Sequence, residues 1–346
     1  MSLEQLIRLM PKVELHVHLE GSIRPATLLA LAERNGVTLP ANSVEGVEQW
    51  YRFTDFAHFI EVYFAICDCL RTPEDFELIT AEFLRGQEAQ NIRYSEVIFT
   101  PYTHHVHVSM DDQLAAINRA RTWAEEELDV TMALVPDISR NIRPIEHSLD
   151  VAQWALDNRD RGVIALGLGG PEIDNPPELF REAFDLVHKA GLPSLPHAGE
   201  TEGPASIWGA LEALHAERIG HGVRCLDDPD LVRALRERQI PLDVSPSSNV
   251  CLGVASGLAD HPLPRLLQEG LTVTINSDDP PMFNTTLTAE YLRICNTFNF
   301  DLAQIKRFVL NGVRGSLLPE TEKRKMEAEF RGEIAELDLR LGPEIK

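Results

Sequence analysis

Nowhere in the 346 residues is there a C-x-x-C pair, and Cys67, Cys69, Cys225, Cys251 and Cys295 form no framework. Five scattered thiols exclude a disulfide-stapled scaffold and predict a reducing compartment with buried cysteines. No apolar run approaches the ~18 residues needed to cross a bilayer, and the opening residues lack the pattern of a signal peptide. A cytoplasmic location is therefore expected. Basic residues are scarce too: 32 Lys and Arg face 54 Asp and Glu, a formal net charge of -22. Such a surface repels phosphate backbones and anionic lipid, so neither nucleic acid nor a membrane is expected as a partner, and a small molecule is. No glycine-rich fingerprint follows the first β-rich run, which weighs against a dinucleotide-binding sheet.

What is present is globular: 44% hydrophobic and 25% charged residues. Eight β-rich runs, at 13–19, 92–99, 130–136, 163–169, 192–197, 218–223, 241–246 and 271–277, are separated by stretches of helical spacing. Leu179, Phe180, Ala183, Phe184 and Val187 show that spacing. Eight such units predict an α/β fold, a (β/α)₈ TIM barrel forming a single domain over residues 1–346. One connection is too long: residues 20–91 separate the first two runs, far beyond the ~2–6 residues of an ordinary βα loop plus a helix. Loops leaving the C-terminal ends of strands form the catalytic face of a barrel, so this insertion should fold over the mouth as a helical lid. In it, Phe56, Phe59, Ile60 and Tyr63 share a helical face, either packing the lid or walling a pocket. Residues 301–315 should close the barrel, and 319–346, with its Glu-Lys-Arg-Lys, reads as a solvated helix.

Polar residues gather where these runs end. His16 and His18 alternate with Val17 and Leu19, which puts both imidazoles on one face of a strand. The fifth run ends in His197-Ala198-Gly199-Glu200, the sixth holds His221, and the eighth ends in Asp278-Asp279. His16, His18, His197 and Asp278 supply three nitrogens and one oxygen, a set suited to one zinc ion or another divalent first-row metal. The third and fourth runs offer no lysine to bridge a second metal. Zinc lowers the pKa of a bound water to about 7, and His221 is placed to orient or deprotonate it. Glu200, three residues beyond a ligand in a closed pocket, should be held protonated by desolvation and act as an acid.

In order along the chain stand P-K-V-E-L-H-V-H-L-E-G-S, H-A-G-E, R-I-G-H-G-V, S-P-S-S-N and N-S-D-D-P. Together they resemble the adenosine deaminase family of the metal-dependent amidohydrolase superfamily, from about residue 10 to the N-G-V-R-G-S-L-L-P-E segment near 320. The resemblance implies hydrolytic removal of a 6-amino group from a purine. It implies that Glu200 protonates N1, His221 sits beside the attacking water, Asp279 holds N7, the Gly170 N–H meets N3, and Glu20 faces the sugar. Phe56 would belong to the lid. The chain departs from adenosine deaminases at Glu20, usually Asp, and at Gly170-Pro171-Glu172, usually Gly-Asp-Glu. Adenine deaminases share the Glu but usually carry serines at Gly170-Pro171, whereas G-L-G-G-P-E and N-S-D-D-P-P-M-F look similar to bacterial members acting on 6-aminodeoxyfutalosine, a nucleoside with a bulky 5′ aryl extension. The expected substrate is a 6-aminopurine nucleoside, adenosine or a 5′-modified adenosine. Adenine as free base, other hydrolytic chemistry on the same mononuclear site, and a non-catalytic binding role remain alternatives.

Overall fold

The computed structural model describes residues 1–340. Eight parallel strands pair in chain order: β1 (Lys12–His18), β2 (Ile92–Phe99), β3 (Thr131–Ser139), β4 (Leu166–Gly169), β5 (Ser194–Ala198), β6 (Ile219–His221), β7 (Leu242–Val244) and β8 (Val273–Ile275). The ring closes where Val17 bridges to Asp278. There the His18 N–H donates to the Asp278 carbonyl at 2.9 Å and the Asp278 N–H to the His16 carbonyl at 3.2 Å. This is the (β/α)₈ barrel that the eight runs predict. Several strands stop short of the expected ends for a physical reason. His221 ends β6 at a positive φ of 63°, a state that costs about 1–3 kcal/mol and persists only where surrounding structure enforces it. Before β4, only Val163 bridges to its neighbour, so the ladder begins three residues later than the apolar run.

Between β1 and β2 stand four α-helices, Pro25–Asn35, Val44–Trp50, Phe56–Cys67 and Pro73–Glu88. Pro73–Glu88 packs against the helix Met110–Glu127 and so completes the outer ring. Its start is fixed by Pro73 and by a capping box between Thr72 and Asp75, and Asp75 also pairs with Arg34 and accepts from Asn35 at 2.8 Å. Phe56–Cys67 is capped by Asp55, which accepts the His58 N–H at 2.9 Å. Phe59 stacks on Phe283 of the loop after β8, ring centroids 5.5 Å apart, seating this helix over the barrel mouth.

The last helix, Glu320–Leu339, is not solvated all round as its charge suggests. Phe330 and Ile334 are buried, and it lies on the helix Leu302–Gly315 with Arg314 paired to Glu327 at 2.6 Å. Residues 341–346 of the expected tail lie outside the described residues. Four cysteines are buried as expected, while Cys251 is exposed. No helix among the described residues is long and apolar enough to cross a membrane.

Inside the ring Arg218 joins strands far apart in sequence. It meets Glu96 of β2 at 2.6 Å and Asp243 of β7 at 2.5 Å, and donates to the carbonyls of Leu15 and Gly315. Removing this cation would leave two carboxylates uncompensated in the interior. Arg218→Leu is therefore expected to cost about 3–5 kcal/mol, read as a lower midpoint in denaturant unfolding.

Candidate active site

Each expected ligand sits at a strand tip or just beyond one. His16 and His18 come from β1, His197 from β5, and Asp278 from the segment after β8. Their donor atoms all lie within 4.8 Å of one another, and all four residues are buried. His18 Nε2 and His197 Nε2 are 3.1 Å apart, and the Nε2 atoms of His16 and His18 each lie 3.4 Å from Asp278 Oδ1. Tetrahedral ligands at zinc bond lengths of ~2.0–2.1 Å are separated by about 3.3 Å, so these spacings fit one cation. The donor chemistry agrees. His197 Nδ1–H donates to the Leu168 carbonyl at 2.9 Å, which leaves Nε2 as a lone pair, and His16 Nε2 has no hydrogen-bond partner. Burial, with His16, His18 and His221 close by, holds His197 far below the usual imidazole range and therefore neutral. Burial opposes ionisation of Asp278, but the adjacent His16, His18 and His221 rings outweigh it and keep the carboxylate charged. Burial also opposes charge on His18, yet Asp279, Asp278 and Asp137 together push it up to about 10. A cluster that draws in a proton this strongly calls for positive charge, which a divalent ion would supply.

A cavity opens above this cluster, lined by His18, His197, His221, Glu200, Asp278 and Asp279 at its floor. Phe56, Phe59, Ile60, Tyr63 and Phe64 of the insertion form a wall, so the aromatic face both packs and lines. Gly170 lines it too, at φ +89°, a backbone state that a side chain would disfavour. Glu200 Oε1 lies 3.7 Å from His221 Nε2, which in turn is 3.8 Å from Asp278 Oδ2. Burial, reinforced by Asp278, Glu172 and Asp279, raises Glu200 well above the usual carboxyl range. Burial holds His221 at about 4 and neutral. Asp279 is also raised well above the carboxyl range, by burial and by Asp278 and Glu20, against the pull of His18.

Of the residues expected to meet the substrate, Glu20 is not brought to the cavity. It is wholly buried, and its carboxylate accepts from the Thr100 N–H and hydroxyl at 2.9 Å, from His104 at 3.0 Å and from Tyr63 Oη at 3.3 Å. These partners leave it behind the wall, supporting Tyr63 and the start of the loop after β2.

Two acids stand out that motif reading passes over. Asp137, near the end of β3, lines the cavity with neither oxygen hydrogen-bonded, and burial pushes it up to about 8. Any side chain at Gly167 would collide with it. Its only sequence signal is a carboxylate closing an apolar strand. Glu172, in Gly170-Pro171-Glu172, accepts the N–H groups of Gly199, Glu200 and Thr201 at 2.8–2.9 Å and the Ser206 hydroxyl. Although burial opposes it, the nearby Arg140 and these donors hold Glu172 ionised.

These observations define a hydrolase-type barrel with a polar, metal-shaped mouth. The adenosine deaminase family pattern matches residues 11–331. An aminodeoxyfutalosine deaminase of Streptomyces avermitilis is 40% identical over 332 residues, covering 95% of this chain and 92% of that protein. An adenine deaminase of Chlorobium phaeobacteroides is 36% identical, covering 93% and 96%. Among solved structures, an adenine deaminase from Arthrobacter aurescens superposes with a TM-score of 0.90 at 33% identity over 94% of this chain and 99% of that one. An amidohydrolase from Burkholderia ambifaria with bound Zn gives 0.89 at 27% identity, over 97% and 93%. The chain belongs to the adenosine deaminase family, hydrolases acting on carbon–nitrogen bonds.

Glu172 both fastens the backbone of Glu200 and, by its charge, favours the protonated form of Glu200. Glu172→Gln is expected to remove about 1.5–3 kcal/mol of stability through the weakened amide bonds. Without that charge Glu200 loses its proton at lower pH, so the alkaline limb of the kcat/KM profile should move toward acid.

Proposed function

We infer that this protein hydrolyses the exocyclic C–N bond of a 6-aminopurine nucleoside, giving the 6-oxo product and ammonia. The observation that carries the reading is a buried Glu200, its carboxyl pushed well above the usual range by burial, facing the cavity beside four converging side chains able to hold a metal. His16, His18, His197 and Asp278 would hold one zinc ion, in keeping with the zinc-bound relative. When bound, that ion supplies Lewis acidity that makes water nucleophilic near neutral pH.

The chain's own groups match the rest of the task. An adenine ring presents acceptors at N1, N3 and N7, and each needs a donor. Protonated Glu200 serves N1, the Gly170 N–H serves N3, and protonated Asp279 serves N7. Protonating N1 makes C6 electrophilic, and water adds there. One water proton passes to the amino nitrogen, the C6–N bond breaks to release ammonia, and the second water proton returns to the Glu200 carboxylate, leaving a 6-oxo product that keeps its N1–H. Glu200 is the acid at N1, and His221 holds the attacking water in place. The aromatic wall excludes bulk water.

Asp137, Ser139, Asn141, Thr100 and Thr103 remain to meet the substituent at N9. A separate recess lined by Cys67, Asp68, His104, Val106 and His107 shares Phe64 and Thr103 with the cavity. A nucleoside extended at its 5′ side is favoured by the Streptomyces relative's name. Free adenine is the second reading, favoured by the adenine deaminase relatives and by the withdrawal of Glu20 from the cavity.

Glu200→Gln should lower kcat by about 10²–10⁴ while metal content stays unchanged. The substrate class is tested by kcat/KM for adenine, adenosine and a 5′-aryl-extended adenosine. Nucleosides exceeding adenine support the first reading, and turnover of adenine alone transfers the assignment to the second.

A further inference from the structure

Behind His221 runs a short chain of polar side chains that never reaches the cavity. Asn249, in S-P-S-S-N, and His261, in the segment before β8, are both buried and do not line the pocket. The chain begins at a group whose role is fixed by chemistry. The backbone N–H of Leu263 can only donate, and it points at His261 Nδ1, 3.0 Å away. That nitrogen must be a lone pair. Burial holds His261 at about 4, so the ring is neutral and its one proton sits on Nε2. Nε2 lies 3.0 Å from Asn249 Oδ1, the acceptor end of the amide. The other end, the Asn249 NH₂ group, then faces His221 Nδ1 at 3.4 Å and donates to it.

We propose that Asn249 and His261 are positioning residues that fix His221 as its Nε2–H tautomer, so that His221 enters the deamination as a hydrogen-bond donor and not as a base. The direction of every bond follows from the Leu263 amide. The proton left on His221 points at the working end of the site, where Nε2 is 3.7 Å from Glu200 Oε1 and 3.8 Å from Asp278 Oδ2. A neutral imidazole already protonated at Nε2 can hold an oxygen lone pair, but it has no lone pair there to take a proton. Which ring nitrogen carries the proton is set by the hydrogen bond the other one makes. The backbone strengthens the case: His221 sits at φ 63°, so its ring is aimed by a conformation that packing must enforce.

The catalytic consequence rests on the deaminase reading, but the tautomer does not, and the two are measured separately. Nitrogen NMR of protein labelled with ¹⁵N-histidine and loaded with its metal reports the protonation of each ring nitrogen, with His221 assigned by comparison with His221→Gln. The wild type should show a protonated Nε2 and a bare Nδ1 at His221. A proton on Nδ1 of the neutral ring would overturn the proposal, whatever the enzyme's activity. Asn249→Asp replaces the donor by an acceptor of nearly the same shape and should draw the His221 proton to Nδ1. With Nε2–H lost, kcat should fall at least about 100-fold while KM changes by less than about threefold. Across the variants kcat should follow the Nε2 proton, and a variant that loses this proton yet keeps kcat contradicts the donor role. His261→Gln keeps an N–H toward Asn249 and should retain the wild-type spectrum. His261→Leu removes it and should lower kcat at least about tenfold, so equal activity in these two variants would take His261 out of the chain.

Discussion

The barrel is closed by the same residues that would hold the metal. Asp278 exchanges backbone hydrogen bonds with His16 and His18 across the gap between the first strand and the segment after the eighth. Asn276 adds to the seam, its Oδ1 accepting the N–H groups of Leu15 and His16. Sheet closure and ligand geometry are therefore one constraint. Asp278, at a positive φ, bridges to Val17 while its carboxylate lies 3.4 Å from both imidazoles. Movement of either strand tip would open the barrel and separate three donors at once.

Around that seam the buried acids sort into two kinds. Asp278, Glu20 and Glu172 face imidazole rings or the Arg140 guanidinium and stay ionised. Glu200, Asp279 and Asp137 face the cavity, lack enough donors, and are driven toward their protonated forms. Desolvation is common to all six, so imidazole and guanidinium neighbours together with hydrogen bonds decide between them. The ionised acids hold backbone and rings in place, whereas the raised ones face the cavity, where the proposed reading uses Glu200 and Asp279 as donors to the purine. The aromatic helix above it, seated through Phe59 on Phe283, keeps the local dielectric low enough for this to work.

Much of this was legible in the residues. The alternation of His16 and His18, the H-A-G-E tip and the Asp278-Asp279 pair point to a polar strand-end cluster before any coordinates, and eight apolar runs point to the barrel. What stayed hidden depends on three-dimensional pairing. Glu20 follows the ligand strand and reads as a substrate contact, yet Thr100, His104 and Tyr63 from distant segments claim its oxygens. Asp137 reads as the end of an apolar strand, since its exposure to the cavity depends on glycines in the neighbouring strand. The charged final helix reads as solvated because two buried residues, Phe330 and Ile334, are a faint stripe among many charges. His261 carries no motif of its own, and its link to His221 exists only through Asn249.

The account stands or falls on four donors meeting around a single cation. Elemental analysis of the protein purified without chelator, beside His197→Ala and Asp278→Asn, tests this most directly. The expected result is about one divalent metal per chain in the wild type and a large loss in both variants. No bound metal in the wild type, or full retention in the variants, would contradict it.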